Sequence, residues 1–228
     1  MQAQVCKFPV IIKGENNMKR TTSKLKCAIC GKESQHNIIL SSNTFGTKTQ
    51  LDLRVVGGKT SLSDRIQRCP HCNYANNDIE ENIGIGINEL KCAKYQEILN
   101  SNLDDTAKSF ILCAILCDKA KQKRDAGMMY HYASWVFDDL KDTENADKYR
   151  KKACDRILEV AIEEDDGDTA VQCVDLLRRN GNYKKALELI DEIGKTDIEE
   201  IDKILAFEKE LIAKKDKTPH FVDEALTK

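Results

Sequence analysis

Two periods divide the chain. From residue 77 onward apolar side chains recur every three or four positions nearly to residue 215, the spacing of an amphipathic helix. Residues 25–76 carry only short alternating runs. Proline is absent between Cys72 and Thr218, so the strongest helix breaker is missing from the whole periodic stretch. The pattern predicts about seven helices. The first spans Gly86 to Asn100. The second, Asp104 to Lys121, is apolar on most sides through Phe110, Ile111, Leu112, Ile115 and Leu116 and is expected at the centre. The third runs from Ala126 to Leu140 and the fourth from Glu144 to Ile162. The acidic stretch Glu163 to Asp168 interrupts the pattern, and Asp168 or Thr169 is suited to cap a fifth helix that Gly181 ends. Asn182 is placed to cap a sixth, stopped by Gly194, and Thr196 with Glu199 reads as a capping box for a seventh.

Residues 1–24 show neither period and are expected to be flexible, with Met18 as an alternative start. In 25–76 there are β-type runs at Asn37 to Leu40 and Leu51 to Val56, then a Gly57-Gly58 turn. So small a loop-and-strand unit holds too little apolar mass to fold alone and needs a staple. The expected organisation is therefore a flexible segment 1–24, a stapled module 25–76, a helical domain 77–215 and a flexible tail 216–228, mainly α overall.

Charge sharpens this division. Residues 1–75 hold 12 Lys+Arg against 4 Asp+Glu, whereas the remainder holds 24 against 34, so a basic module precedes an acidic helical domain. No apolar run approaches the roughly 20 residues that span a bilayer, and Val10 to Ile12 is too short for a signal-peptide core, which implies a cytoplasmic protein.

The staple is written in the cysteines. Cys27-Ala-Ile-Cys30-Gly31 and Cys69-Pro-His-Cys72-Asn73 are two CxxC knuckles. Two intervening residues let both sulfurs of a tight turn face one ion while amide N–H groups of the turn donate to the thiolates. Gly31 and Asn73 suit the positive φ that the position after each knuckle requires. Cys27, Cys30, Cys69 and Cys72 are thus assigned to one structural Zn²⁺, with His71 outside the ligand set and Lys26, Lys32 and Arg68 offsetting its negative charge. A redox CxxC would follow a strand and open a helix in an alternating β/α chain, a context missing here. Catalytic zinc needs an open coordination position, which four cysteines close. Cys92, Cys113, Cys117, Cys154 and Cys173 lie in helical patterns and read as small buried hydrophobes. His131 and Trp135, four apart, read as a core contact.

Gly181-Asn-Tyr-Lys-Lys-Ala186 resembles the turn of a tetratricopeptide repeat, and a weaker copy runs from Tyr132 to Ala153, where Lys141-Asp142-Thr143 lacks the Gly and Tyr. The two CxxC knuckles, with Ser42-Asn-Thr-Phe-Gly46 and Leu51-Asp-Leu-Arg54 between them, resemble an uncharacterised bacterial family. Its members join an N-terminal CxxC…CPxC module, similar to a zinc ribbon, to repeat-like helices. Asn73 stands where such members often have Gly. The resemblance implies an architecture and no activity.

No GxSxG, HExxH or conspicuous carboxylate pair suggests catalysis, and a non-enzyme is expected. The expected role is a scaffold whose stacked helices bind a protein partner. The alternative is a nucleic-acid-binding protein working through the basic module, which offers only Phe8, Phe45 and Tyr74 for stacking.

Overall fold

The computed structural model describes residues 19–42, 46–58, 60–164 and 167–227, the side chains of 167 and 168 excepted. The alternative start Met18, the aromatic residues Phe8 and Phe45, and Asp165 and Asp166 lie outside the described residues.

A period of two builds the first pair of elements. Strand β1 (Lys19–Lys26) runs antiparallel to β2 (Glu33–Ser41), with Lys26 opposite Glu33 and Thr22 opposite Asn37. Thr21, Ser23 and Leu25 are half-buried, while Arg20, Thr22, Lys24 and Lys26 are exposed. Residues 19–24, expected to be flexible, therefore belong to a hairpin whose inward face is mostly hydroxyl-bearing. The run Leu51 to Val56 is not one strand: Leu51 and Asp52 form a turn, Leu53 has a φ of 67°, and only Val55–Val56 (β4) pairs with Lys48–Thr49 (β3). Gln67–Arg68 (β5) and Ala75–Asn76 (β6) pair on either side of the second knuckle.

The rest is helical: α1 (Ala93–Leu99), α2 (Asp105–Lys119), α3 (Lys123–Asp139), α4 (Thr143–Glu164), α5 (Gly167–Arg179), α6 (Tyr183–Ile193), α7 (Glu199–Ala213) and α8 (Val222–Leu226). That makes eight among the described residues, the eighth falling in the tail expected to be flexible. The first is far shorter than its periodicity suggested, because Cys92 keeps an extended backbone and Glu89–Lys91 forms a separate 3-10 turn. The Asp104 side chain caps α2, accepting from the amides of Thr106 and Ala107. Asn182 occupies the capping position of α6 without a side-chain bond. Thr169 lies inside α5, and the Asp168 side chain falls outside the described set. The Thr196–Glu199 box does not form: Ile198 precedes α7, and the Thr196 amide and hydroxyl both donate to Asp202 Oδ1.

Four helix ends share one geometry. Lys121, Lys141, Gly181 and Lys215 have positive φ, and each following amide returns to the carbonyl five residues back: Gln122 to Cys117, Asp142 to Phe137, Asn182 to Leu177 and Asp216 to Leu211. Gly181 adopts this freely, whereas each lysine does so at a cost of roughly 1–2 kcal/mol. The turn between α3 and α4 therefore matches the one between α5 and α6 although it has no glycine.

Each of α2 to α6 packs on the next. One core continues from Cys27, Cys69, Tyr74 and Ile79 through α2 and α3 to Ile190 and Ile212. The change at residues 76 and 77 is thus a change of secondary structure without a break in packing. A smaller cluster joins Leu51 to Phe207, Leu211 and Ala225. Among the described residues no helix is long and apolar enough to cross a membrane.

Candidate metal centre

The two knuckles fold alike. The Gly31 amide donates to the Cys27 carbonyl at 2.8 Å and the Asn73 amide to that of Cys69 at 2.9 Å. Cys27 and Cys69 in turn donate to the carbonyls of Lys32 (3.0 Å) and Tyr74 (2.8 Å). Gly31 and Asn73 have φ of 69° and 64°, as the sequence required. Each second cysteine accepts from an amide two residues on, Lys32 for Cys30 and Tyr74 for Cys72.

These turns face each other. Cys27 Sγ lies 3.6 Å from Cys72 Sγ and Cys30 Sγ 3.7 Å from Cys69 Sγ, and all four sulfurs lie within 4.8 Å of one another. A tetrahedron of sulfurs at about 2.3 Å from a central ion has edges of about 3.8 Å, whereas a disulfide needs about 2.05 Å. The spacing fits a shared ion. Burial pushes the Cys27 and Cys72 thiols up. For Cys30 burial acts in the same direction, but the Lys32 amide and the neighbouring thiols outweigh it and bring the thiol down. Four sulfurs this close do not all ionise unless a cation among them offsets their charge.

His71 stands outside the cluster, its Nε2 3.2 Å from the carbonyl of Glu33. Of the basic neighbours, Lys26 and Lys32 are exposed, while Arg68 is engaged by Asp105 at 3.1 Å.

The centre is pinned from the helical side. Segment 78–81 holds the first knuckle: the Ala28 amide donates to the Ile79 carbonyl at 3.0 Å, and the Lys26 amide to Glu80 Oε1 at 3.0 Å. Tyr95, fully buried on α1, donates its hydroxyl to the Asn73 carbonyl at 2.7 Å. It bonds the backbone of the very residue that needs positive φ, a positioning contact of the kind that steadies metal ligands.

A second tie lies between the knuckles in sequence. Asp52, wholly buried, sends its carboxylate between α3 and α5: Oδ2 accepts from Trp135 Nε1 at 2.7 Å, Arg179 Nη1 at 2.8 Å and His131 Nε2 at 3.3 Å. Its Oδ1 accepts the Arg54 amide at 3.1 Å. Gln172 Nε2 donates to the Asp52 carbonyl at 3.3 Å and to His131 Nδ1 at 3.2 Å, which leaves Nε2 of His131 as the N–H facing Asp52. Arg179 continues to Asp138 at 2.7 Å, and Asp138 also accepts from Arg150. Burial favours the neutral acid, but the hydrogen bond from His131, the charge of Arg179 and the Trp135 N–H outweigh it and hold the Asp52 carboxyl well below the usual carboxylate range. His131 and Trp135 do touch, ring centroids 4.5 Å apart, and both also grip this carboxylate.

Asp52, Tyr95 and Arg179 went unassigned in the sequence reading. The only local signal was Asp52 inside the Leu51-Asp-Leu-Arg54 motif, since its side-chain partners lie 79 or more residues away.

Residues 21–214 match the model of a family described as uncharacterized protein conserved in bacteria (DUF2225). Neither the search of curated proteins nor that of solved structures returned a match.

Proposed function

Since the chain belongs to the DUF2225 family of uncharacterised bacterial proteins, we propose that it is a zinc-stapled scaffold, free of catalysis, whose helices bind a protein partner in the cytoplasm. The observation that carries the reading is the four-sulfur cluster itself. Four cysteines saturate a tetrahedral ion and leave no position for water or substrate, so the ion's work is structural. Zinc suits this donor set better than the hard, oxygen-seeking divalent ions do, and mononuclear iron is the rival that metal analysis separates.

Two further features support a binding role. The shared turns at Lys121, Lys141 and Gly181 fit a helical-repeat reading, in which successive helices present one extended surface. Arg54 pairs with Asp139 at 2.7 Å, and the residues flanking that pair in sequence are Leu53 (54 % exposed), Val55 (46 %) and Leu140 (54 %). Exposed apolar groups around one ion pair are the composition of a partner surface. The test is affinity capture from the native host with the full chain and with Leu53→Glu/Leu140→Glu, whose side chains lie outside the core. A protein captured by the first and lost by the second supports the scaffold. Identical capture by both overturns this surface, and zinc-free protein that folds normally overturns the staple.

The second reading, nucleic-acid binding, draws on β1, where Arg20, Lys24 and Lys26 are exposed along one face beside Lys32. Affinity for mixed-sequence RNA or DNA that falls steeply with salt favours it, and no binding at low salt removes it.

A further inference from the structure

A buried ionic cluster takes no part in holding metal. Arg178 on α5 is wholly buried, and its guanidinium is shared three ways. Nε donates to Glu208 Oε2 of α7 at 2.7 Å, Nη2 pairs with Asp175, and Nη1 donates to the backbone carbonyls of Asp216 (2.7 Å) and Thr218 (3.0 Å). Two carboxylates thus face one guanidinium in a site closed to water. Two oxygens there, Glu208 Oε1 and Asp175 Oδ2, are buried without a hydrogen-bond partner. If both acids were ionised, the cluster would hold an uncompensated negative charge and two orphaned acceptors, and buried groups do not persist in that state. The Glu208 and Asp175 side chains lie within hydrogen-bond reach of each other, so one proton on Glu208 removes both defects: it neutralises the excess charge and supplies a donor toward Asp175.

We infer that Glu208 and Asp175 share a single proton in the folded protein, and that this proton latches segment 214–227 onto the helical array through Arg178.

The latched segment also fastens the strap 46–58. Past Thr218 the His220 carbonyl accepts the Leu51 amide at 2.9 Å, Phe221 bridges Gln50, and Leu51 packs with Phe207, Leu211 and Ala225. The next residue of the strap is Asp52. The proton at Glu208 is therefore connected through Arg178, the 216–218 carbonyls and His220 to the tie between module and helices.

Burial, reinforced by the charge of Asp175 and opposed by Arg178, pushes Glu208 up to about 8. The neighbouring charged groups have other engagements. From α5, Arg179 hydrogen-bonds to Asp52 and Asp138, and its charge also acts on Asp175, which favours Asp175 as the ionised member of the pair. On the connecting segment the Asp216 carboxylate turns to Thr218 and His220, and His220 also pairs with Glu224 of α8. Asp191 of α6 pairs with Lys209.

The test is amide hydrogen exchange at residues 214–227 of the intact protein between pH 5 and 9, corrected for intrinsic exchange. The closed state binds a proton that the open state has lost above about pH 4.5, so opening should rise by up to about tenfold per pH unit until it levels near about 8. Glu208→Gln keeps a neutral donor toward Asp175 Oδ2 and should lack this rise. The other charged groups of the segment are the same in both proteins, so the difference isolates Glu208. A rise of equal slope in both proteins, or none in the wild type, overturns the inference. So does a Glu208 carboxyl carbon that titrates at the ordinary value by NMR, a measurement that needs no variant to fold.

Discussion

Asp52 Oδ2 and Arg179 Nη1 lie 2.8 Å apart and are both buried, although 127 residues separate them in the chain. The contact joins the turn between the two cysteine knuckles to the end of α5, and it is the charged member of a network that also engages α3. Its energetic weight lies less in the attraction than in what is stranded when one partner is removed.

Asp52→Ala should therefore cost about 3–5 kcal/mol in urea unfolding, since Arg179 is left buried with one of its hydrogen-bonded carboxylates gone and only Asp138 still bonded to it. Asp52→Asn, which can still accept from Trp135, should cost less. A change under about 1 kcal/mol for the alanine variant would show that the strap is incidental to the fold.

Acid should loosen the same tie. The folded carboxyl of Asp52 is depressed while the unfolded one titrates near 3.8. Its contribution is fully present above about pH 5 and is lost as pH falls through and below about 4. Stability followed by urea midpoints between pH 6 and 2 should decline along this limb, and Asp52→Asn should flatten it.

Metal analysis of reduced protein should return one zinc per chain. A strong chelator should lower the melting temperature and release the module first, because closing an ion site supplies folding free energy directly. Cys69→Ser, at a wholly buried ligand, should abolish stoichiometric binding. Full melting temperature after metal removal would contradict the structural role.

Tyr95→Phe removes only the hydroxyl that bonds the Asn73 carbonyl. The expected loss is about 1 kcal/mol of stability. A several-fold faster transfer of metal to a chelator should accompany it, read out with a colorimetric chelator. Unchanged transfer would mean that the knuckle needs no support from α1.

Gly127→Ala tests the close approach of α3 to α4. A Cβ at Gly127 would lie 2.7 Å from Ile157 Cγ1 and 3.3 Å from the Ile157 amide. The clash should outweigh the roughly 1 kcal/mol gained in helix propensity, leaving a net loss of about 1–3 kcal/mol.

The cysteine centre was legible because its information is local: spacing within each knuckle, then Gly31 and Asn73 at the positions that need positive φ. The mainly helical fold was legible from periodicity. β1 was not, since its inward face is Thr21, Ser23 and Leu25, and a period carried by hydroxyls leaves little hydrophobic signal. Asp52 looked like any solvated turn acid, because its burial is decided by residues far along the chain. Glu208 did leave a trace. It falls between Ile204, Leu205 and Leu211, Ile212 on the apolar stripe of α7, where a carboxylate is out of place unless something buried receives it. The α8 clasp left none, its helix being five residues long.

The strap has a consequence for the order in which a newly made chain can finish folding. The cysteine knuckles leave the ribosome early, yet the Asp52 carboxylate lacks its charged partner until Arg179 follows, and Leu51 lacks the His220 carbonyl and the Phe207, Leu211 and Ala225 side chains until the last helices do. During vectorial synthesis the first half must wait with Leu51 and Asp52 in water. The final closure is a long-range event that comes after the helices it fastens have been built.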